Sequence, residues 1–392
     1  MASRAKSQDR EASARPPVRD AVRVPLRGTG RPSLRDVARA AGVSAACASN
    51  VINRRRSQDD PIGRAVLKAV DDLGYRANAI AANLRRTNSR FVGVVLPDFE
   101  NPFFGALLAA LERCAEESGY RLTAASSRED ERIEAREVGE LLGWRVAGLL
   151  VAPTVRSRGP EPESGGVPIV VVDRVSGREG ADEVSADNTE AARDVTARLI
   201  ALGHRAVLVA HSDPALLNVA ERLRGVRAAA DAAAATGTRF GVQLLECGSS
   251  IDSADRAFAA HFAHHPVPGA VFALNNLATL AAFGAVQRQG LVPGRDLALV
   301  SFDDSAWMAH MHPAVAAVVQ PVEDIARAAW SRLIARIEGQ AGAPVSVRIP
   351  CRIAARGTLV APRAEQKAGT EGALPPSSRG QPGDKPRART GS

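Results

Sequence analysis

The segment Ser44-Ala-Ala-Cys-Ala-Ser-Asn50 carries the side chains to which a chemistry is most directly assigned. Asn50 presents a carboxamide that can pair bidentately with N6 and N7 of adenine, the way Asn reads a base edge in the major groove. Ala45 and Ala46 offer only methyl groups, which either touch a thymine methyl or serve simply as helix formers. Ser44 and Ser49 are placed to donate to phosphates, helped by the positive end of the helix that Ser44 would cap. Enzyme chemistry finds little support by comparison. No G-x-G-x-x-G follows an expected strand, and no G-x-x-x-x-G-K-[ST] loop, G-x-S-x-G elbow or His/Glu metal spacing occurs. His261, His264 and His265 cluster without an acidic residue at matching spacing, so they read as a surface group rather than a ligand set. Cys47, Cys114, Cys247 and Cys351 are scattered, which fits free thiols in a reducing compartment better than a zinc site or disulfide framework. The expectation is a non-enzyme with no cofactor and no metal.

The elements that must position Asn50 are short helices. Ser33 can cap a helix through Leu34, Val37, Ala38 and Ala41, with Asp36 completing a capping-box arrangement, and Gly42 breaks it. Ser44 caps a second helix whose inner face is Ala48, Val51 and Ile52. Asp60 and Pro61 open a third, with the stripe Ile62, Val66, Val70 and Leu73, closed by Gly74. Three short helices with a tight Gly-containing turn make a helix-turn-helix. Charge agrees with a polyanion partner. Residues 1–90 hold 19 Lys and Arg against 8 Asp and Glu, while the whole chain is +8, so the rest is slightly acidic.

Beyond residue 90 the pattern changes. Strand-length apolar runs at 91–96, 148–151, 169–172, 206–210, 270–274 and 297–301 alternate with helical stretches at 103–118, 131–142, 189–202, 222–234, 254–261 and 277–289. Such alternation predicts parallel sheets covered on both faces, and its length exceeds one doubly wound unit, so two similar lobes are expected. Ligands in such sheets bind beyond the carboxyl ends of the strands, here a cleft between lobes. Residues 1–31 read as a disordered basic arm and residues 362–392 as a disordered Pro/Gly-rich tail. With no apolar run of signal or membrane-span length, a cytoplasmic protein is expected.

The run from Ser33 to Asn53 closely resembles the headpiece of the LacI/GalR family of bacterial transcriptional regulators. Leu73-Gly-Tyr-Arg-Ala-Asn78 and Ala79-Ile-Ala-Ala-Asn-Leu-Arg-Arg86 look like that family's third-helix exit and hinge. Asn101-Pro-Phe-Phe104, Val172-Asp-Arg174, Asp187-Asn188, Leu202-Gly-His-Arg205, Glu221-Arg-Leu-Arg-Gly225, Phe302-Asp-Asp304 and Gln320-Pro321 follow in family order. The resemblance implies an all-α helix-turn-helix headpiece (32–77) and a hinge helix with linker (78–90). An α/β periplasmic-binding-protein-like core of two doubly wound lobes (91–361) would follow, binding effector and forming the dimer. It implies a homodimer on a pseudo-palindromic double-stranded operator, repression as the usual mode, a small polar effector and no membrane contact.

By the same resemblance Ser44, Ala45, Ala46, Ser49, Asn50 and Asn53 meet DNA, Leu84 wedges into the minor groove, and Arg85 lies near phosphates. A linker in which Leu84 packs on the core is the other reading. Phe103 and Phe104 would flank the effector, Asp173 would accept from its hydroxyls, Arg222 would offer a planar fork, and Asn275 and Asp303 would complete the polar lining. Phe103 and Phe104 can equally be core, Asp173 a loop cap and Arg222 a surface ion-pair partner. The chain departs from the family at Asn50, where Arg is usual, at Cys47, where Thr is common, and at Asn276, where Asp is usual. Ser249 falls near a position where relatives carry a sugar-stacking aromatic. Two rival classes remain: a nicotinamide-type enzyme, which lacks its motif, and a secreted solute-binding protein, which has no use for a helix-turn-helix.

Overall fold

A computed structural model describes residues 32–76, 89–154, 163–174 and 180–363. The chain divides into two compact units on either side of residue 82. The expected arm, the hinge with Leu84 and Arg85, and the tail from residue 364 lie outside the described residues.

The first unit holds three helices, α1 (Leu34–Ala40), α2 (Ala45–Ile52) and α3 (Pro61–Leu73). Each start follows from its cap. Ser33 and Asp36 form a reciprocal capping box, Ser44 accepts from Cys47 N–H, and Asp60 accepts from Gly63 N–H with Pro61 in the first turn. Val37, Ala38, Ala48, Val51, Val66 and Ala69 form the small core. Of the predicted stripe of α3, Val66 is buried and Val70 and Leu73 pack against the core. Ile62 is exposed, and Gly63 and Ala69 face inward instead. Gly63 lies so close to the loop before it that a Cβ there would sit 2.5 Å from the Ser57 carbonyl oxygen. That close approach lets α3 pack directly on the loop before it.

The second unit is two lobes. The first sheet is built from β1 (Phe91–Leu96), β2 (Arg121–Ser126), β3 (Gly148–Val151), β5 (Val167–Val172), β6 (Asp182–Ala186) and β12 (Ser346–Ile349), in the order β12-β6-β5-β3-β1-β2, all parallel. The short β4 (Glu163–Ser164) adds antiparallel to β5. Helices α4 (Pro102–Glu117) and α5 (Glu131–Gly143) cover its faces. The second sheet comprises β7 (Ala206–His211), β8 (Gly241–Glu246), β9 (Ala270–Ala273), β10 (Ala298–Phe302), β11 (Ala316–Val319) and the antiparallel β13 (Arg352–Ala354), in the order β13-β11-β10-β9-β7-β8. Its helices are α6 (Asn188–Ala201), α7 (Leu217–Ala235), α8 (Ile251–His264), α9 (Asn276–Arg288) and the short α10 (Ala306–His310).

The expected two-lobed parallel architecture is therefore present, but the lobes are not successive halves of the chain. After β11 the chain returns to the first lobe as α11 (Val322–Ile337), whose Ile325, Ala329, Trp330 and Leu333 join the core with α4, and then as β12. The lobes are thus linked at Asp187, at Gln320–Pro321 and at Pro350–Cys351. The strands match position for position, so the carboxyl ends of β5 and β10 occupy equivalent places. No helix among the described residues is long and apolar enough to cross a membrane.

Candidate functional site

On the headpiece, the inner residues of α2, Ala48 and Val51, are fully enclosed, and the opposite side leaves Ser44, Ala45, Ala46, Asn50 and Asn53 exposed, with Ser49 half-buried. Two polar candidates are partly engaged within their own helix. The Ser44 hydroxyl accepts from Cys47 N–H at 3.2 Å, and the Asn53 amide donates to the Ser49 carbonyl at 2.8 Å. Arg54, Arg55 and Arg56 extend the exposed surface just past α2, with Arg56 paired to Asp60 at 3.2 Å. The sequence reading passed over this arginine run, although its charge alone marks it as a phosphate-contacting candidate.

In the core, Phe103, Phe104, Asp173, Arg222, Asn275 and Asp303 all line one cavity between the lobes. Phe103 and Phe104 also belong to the first lobe's core and meet edge to face at 5.3 Å, so the two readings of them coincide. Asn101 caps α4 and places these rings at the cleft, accepting from Phe103 N–H at 3.0 Å. The same oxygen accepts from Asn276 of the other lobe at 2.9 Å. Asn275 caps α9 through Ala278 N–H at 2.7 Å.

Asp173 and Asp303 are the first residues after β5 and β10, both at positive φ (63° and 79°), in the left-handed region Asp tolerates better than most residues. Both are buried. Burial pushes the Asp173 carboxyl up to about 6, against the pull of the Arg222 and Arg174 guanidiniums, with Asp303 and Glu129 adding to the rise. Burial also raises Asp303, opposed by Arg222 and by the amide of Gln320 that donates to it.

Arg222 is held firmly. Its Nε donates to Asn188 Oδ1 at 2.8 Å, its Nη1 to the Leu274 carbonyl at 2.6 Å, and its plane lies 3.7 Å from the centre of the Phe302 ring. The surface ion-pair reading of Arg222 is thereby corrected, because the guanidinium is buried and stacked. One nitrogen of the expected fork, Nη1, already donates to the Leu274 carbonyl. Gly225 explains the approach. A Cβ there would sit 2.1 Å from the Thr189 carbonyl oxygen, so only glycine lets α7 come close enough to α6 for Arg222 to reach Asn188. Behind Arg222 the network continues across the lobes. Asn188 donates to Glu221 at 3.1 Å, and Glu221 pairs with Arg348 of β12 at 3.4 Å.

Sequence reasoning did not assign Asn188, Arg174, Asn218 or Gln320 to the site. Three of them stand inside the quoted motifs Asp187-Asn188, Val172-Asp-Arg174 and Gln320-Pro321, which was the available signal. Arg174 forms a two-nitrogen pair with Glu129 at 2.6 and 2.8 Å. Next to this inner cavity lies a wider cleft of about 630 Å³, also between the lobes and lined by Ser249 among others. Its size lies within the range of small-molecule sites.

A two-lobed ligand-binding core carried on a helix-turn-helix unit defines a class, the ligand-responsive DNA-binding regulators. Residues 33–78 match the model of the bacterial regulatory proteins of the lacI family, and residues 89–356 match that of the periplasmic binding proteins and sugar binding domain of the LacI family. The chain belongs to the LacI family and is a DNA-binding transcription regulator, not an enzyme. It is 30% identical over 335 residues to the HTH-type transcriptional regulator PtxS of Pseudomonas putida, covering 84% of this chain and 96% of that protein. It is likewise 30% identical to CelR of Thermobifida fusca, over 83% of this chain and 98% of that one. Among solved structures it resembles the CelR–cellobiose complex (29% identity, TM-score 0.61, 84% and 100% of the two chains). It shares the fold of the Lac repressor dimer bound to operator and the anti-inducer ONPF (22% identity, TM-score 0.71, 85% and 100%).

Proposed function

We propose that this regulator acts in the cytoplasm as a homodimeric repressor that binds a pseudo-palindromic operator and is controlled by a small polar, sugar-like effector. The observation that carries the DNA reading is the exposed face of α2, where Ala45, Ala46 and Asn50 stand opposite the enclosed Ala48 and Val51. An N-terminal helix face of this kind is what a helix-turn-helix offers to the major groove. Asn50 reads adenine, Ala45 and Ala46 meet thymine methyls, and Ser44, Ser49 and Asn53 hold the backbone. Leu84 wedges into the minor groove from the hinge with Arg85 beside it. In this assignment 1–31 is a basic arm, 32–77 the headpiece, 78–90 the hinge, 91–361 the core and 362–392 a tail.

The effector reading is supported by convergence of Asp173, Arg222, Asn275 and Asp303 on one cavity beside Phe103 and Phe104. The complex of CelR with cellobiose adds support for a sugar-like molecule. The test is selection of bound duplexes from a random pool at near-physiological salt. A pseudo-palindrome is expected. Recovery of no sequence above background from folded protein, with and without a sugar panel, would sink the operator reading. For the cleft, Arg222→Ala should abolish calorimetric binding of whichever small molecule the protein takes, and unchanged binding would remove Arg222 from the site.

A further inference from the structure

The charge of the cleft selects among polar effectors. Arg222 acts on both buried carboxylates, Asp173 and Asp303, and Arg174, which also acts on Asp173, is itself paired to Glu129. Among the described residues the outer cleft adds Asp130, Glu131, Asp213 and Glu246 against Arg132. Among the described residues the two cavities present eight carboxylates and three guanidiniums, a formal balance of −5 in a chain whose total is +8.

Unfilled hydrogen-bonding capacity points the same way. Asp173 Oδ1 is buried without a partner, and among the described residues Oδ2 receives a 3.5 Å contact from Asn218. Gln320 gives its amide to Asp303 and leaves its own carbonyl oxygen buried and unpartnered. Asn276 Oδ1 is a further unpartnered acceptor, the Thr154 hydroxyl can accept or donate, and Arg174 Nε is an unpartnered donor behind the fork already closed on Glu129. A buried acceptor left empty costs free energy, and a buried carboxylate without a counter-charge costs more. The occupant must therefore donate hydrogen bonds, and positive charge is what the site lacks. A carboxylate or phosphate ligand meets the reverse. Arg222 Nε is taken by Asn188, its Nη1 already serves the Leu274 carbonyl, and the approach is lined with like charge.

We propose that the effector is a cation, a polyhydroxylated small molecule of amino-sugar type whose protonated amine sits against Asp173. This rests on the reading of the cleft as the effector site. The hydroxyls fill the Gln320 and Thr154 oxygens, and the negative outer cleft raises the local concentration of cations over anions.

The test is titration calorimetry of the full-length protein at pH 7.5 with matched hexose sets. The probes are glucosamine, galactosamine and mannosamine, their neutral parents, their N-acetyl derivatives and the corresponding uronic acids. One amino sugar is expected to bind at least about tenfold tighter than its neutral parent and its N-acetyl form, with uronic acids giving no binding heat. Asp173→Asn, which keeps shape and tolerates the left-handed backbone, should reduce that preference to about twofold or less. Asp303→Asn is the second variant should the first lose its thermal transition. A neutral or anionic member binding as well as the amine, or no member binding, overturns the proposal. If a neutral sugar binds best and Asp173→Asn weakens it, the amine is wrong and the cleft assignment survives. If an amino sugar binds and both folded variants bind it unchanged, the cleft assignment falls as well.

Discussion

Asp173 and Asp303 are the same position of the fold used twice. Each is the first residue beyond the fourth strand from the outer edge of its sheet, counted from β2 in one lobe and β8 in the other, and each is buried at positive φ. Duplicated lobes thereby place two like charges across one cleft, with Arg222 as the shared counter-ion. Burial raises both carboxyls, and the cost of charging them is felt as pH dependence.

Because the folded Asp173 value of about 6 stands above the ordinary 3.8, its protonated form is the one the fold favours. The stability it contributes is fully present below about pH 4 and is lost as pH rises through 6, a swing of about 3 kcal/mol. Asp303 is shifted in the same direction. The prediction is that the stability of the wild type relative to Asp173→Asn, measured by urea unfolding without ligand, falls by about 2 kcal/mol between pH 4.5 and 7.5. A difference that stays constant over that range would show that Asp173 is solvated.

Strands β1 and β3 are found where the apolar runs 91–96 and 148–151 put them, runs that give way to Pro97 and to Ala152-Pro153. What local pattern could not reveal was satisfied elsewhere in the chain. Strand β6 reads Asp-Glu-Val-Ser-Ala and yet is wholly buried. Asp182 can be buried there because Arg336, 154 residues later, pairs with it at 2.6 Å, and Val345 N–H donates to it at 2.8 Å. Strands β2 and β8 escaped detection for the opposite reason, being edge strands with exposed polar residues. In the site, Asp303 followed from its strand. The Arg174–Glu129 and Arg348–Glu221 pairs join residues 45 and 127 apart, and only the assembled lobes bring them together.

Gly63 should be the weak point of the headpiece. A methyl group at that position meets the Ser57 carbonyl oxygen at 2.5 Å and Gln58 backbone atoms at 2.6 Å, and backbone cannot swing aside as a side chain does. Gly63→Ala is expected to destabilise the headpiece by about 1–3 kcal/mol despite Ala's better helix propensity. Operator affinity should fall while calorimetric binding by the core is unchanged. A variant at least as stable as the wild type would mean that the loop at residues 57–58 moves freely.

Asn50 should determine one base of the half-site. Its exposed carboxamide can accept from adenine N6 and donate to N7, and Arg in its place would instead donate twice to guanine. Selection with Asn50→Arg is expected to exchange A for G at one position of each half-site, with discrimination of about 1–3 kcal/mol, and to leave the others as they were. An unchanged consensus would take Asn50 off the bases.

Arg348 lines neither cavity, yet it should tune effector affinity. It ties Ser185 and Glu221 at 2.8 and 3.4 Å, Glu221 accepts from Asn188, and Asn188 holds Arg222. Arg348 and Ser185 belong to strands of the first lobe, whereas Glu221, Asn188 and Arg222 belong to helices of the second, so the chain of contacts crosses at the linking segments. Glu221→Gln keeps an oxygen for Asn188 but turns a neutral amide toward Arg348, and Arg348→Met removes the charge from the other side. Each is expected to weaken effector binding by about 1–2 kcal/mol, since a charge-assisted bond is lost and the Arg222 support slackens. The two losses should not add, because either change alone already breaks the pair. A coupling of about 1 kcal/mol in the double-mutant cycle on effector affinity would establish that the lobes are linked through Glu221. Strict additivity would mean that Arg348 does not act on the site through Glu221 and that Asn188, Leu274 and Phe302 position Arg222 without it.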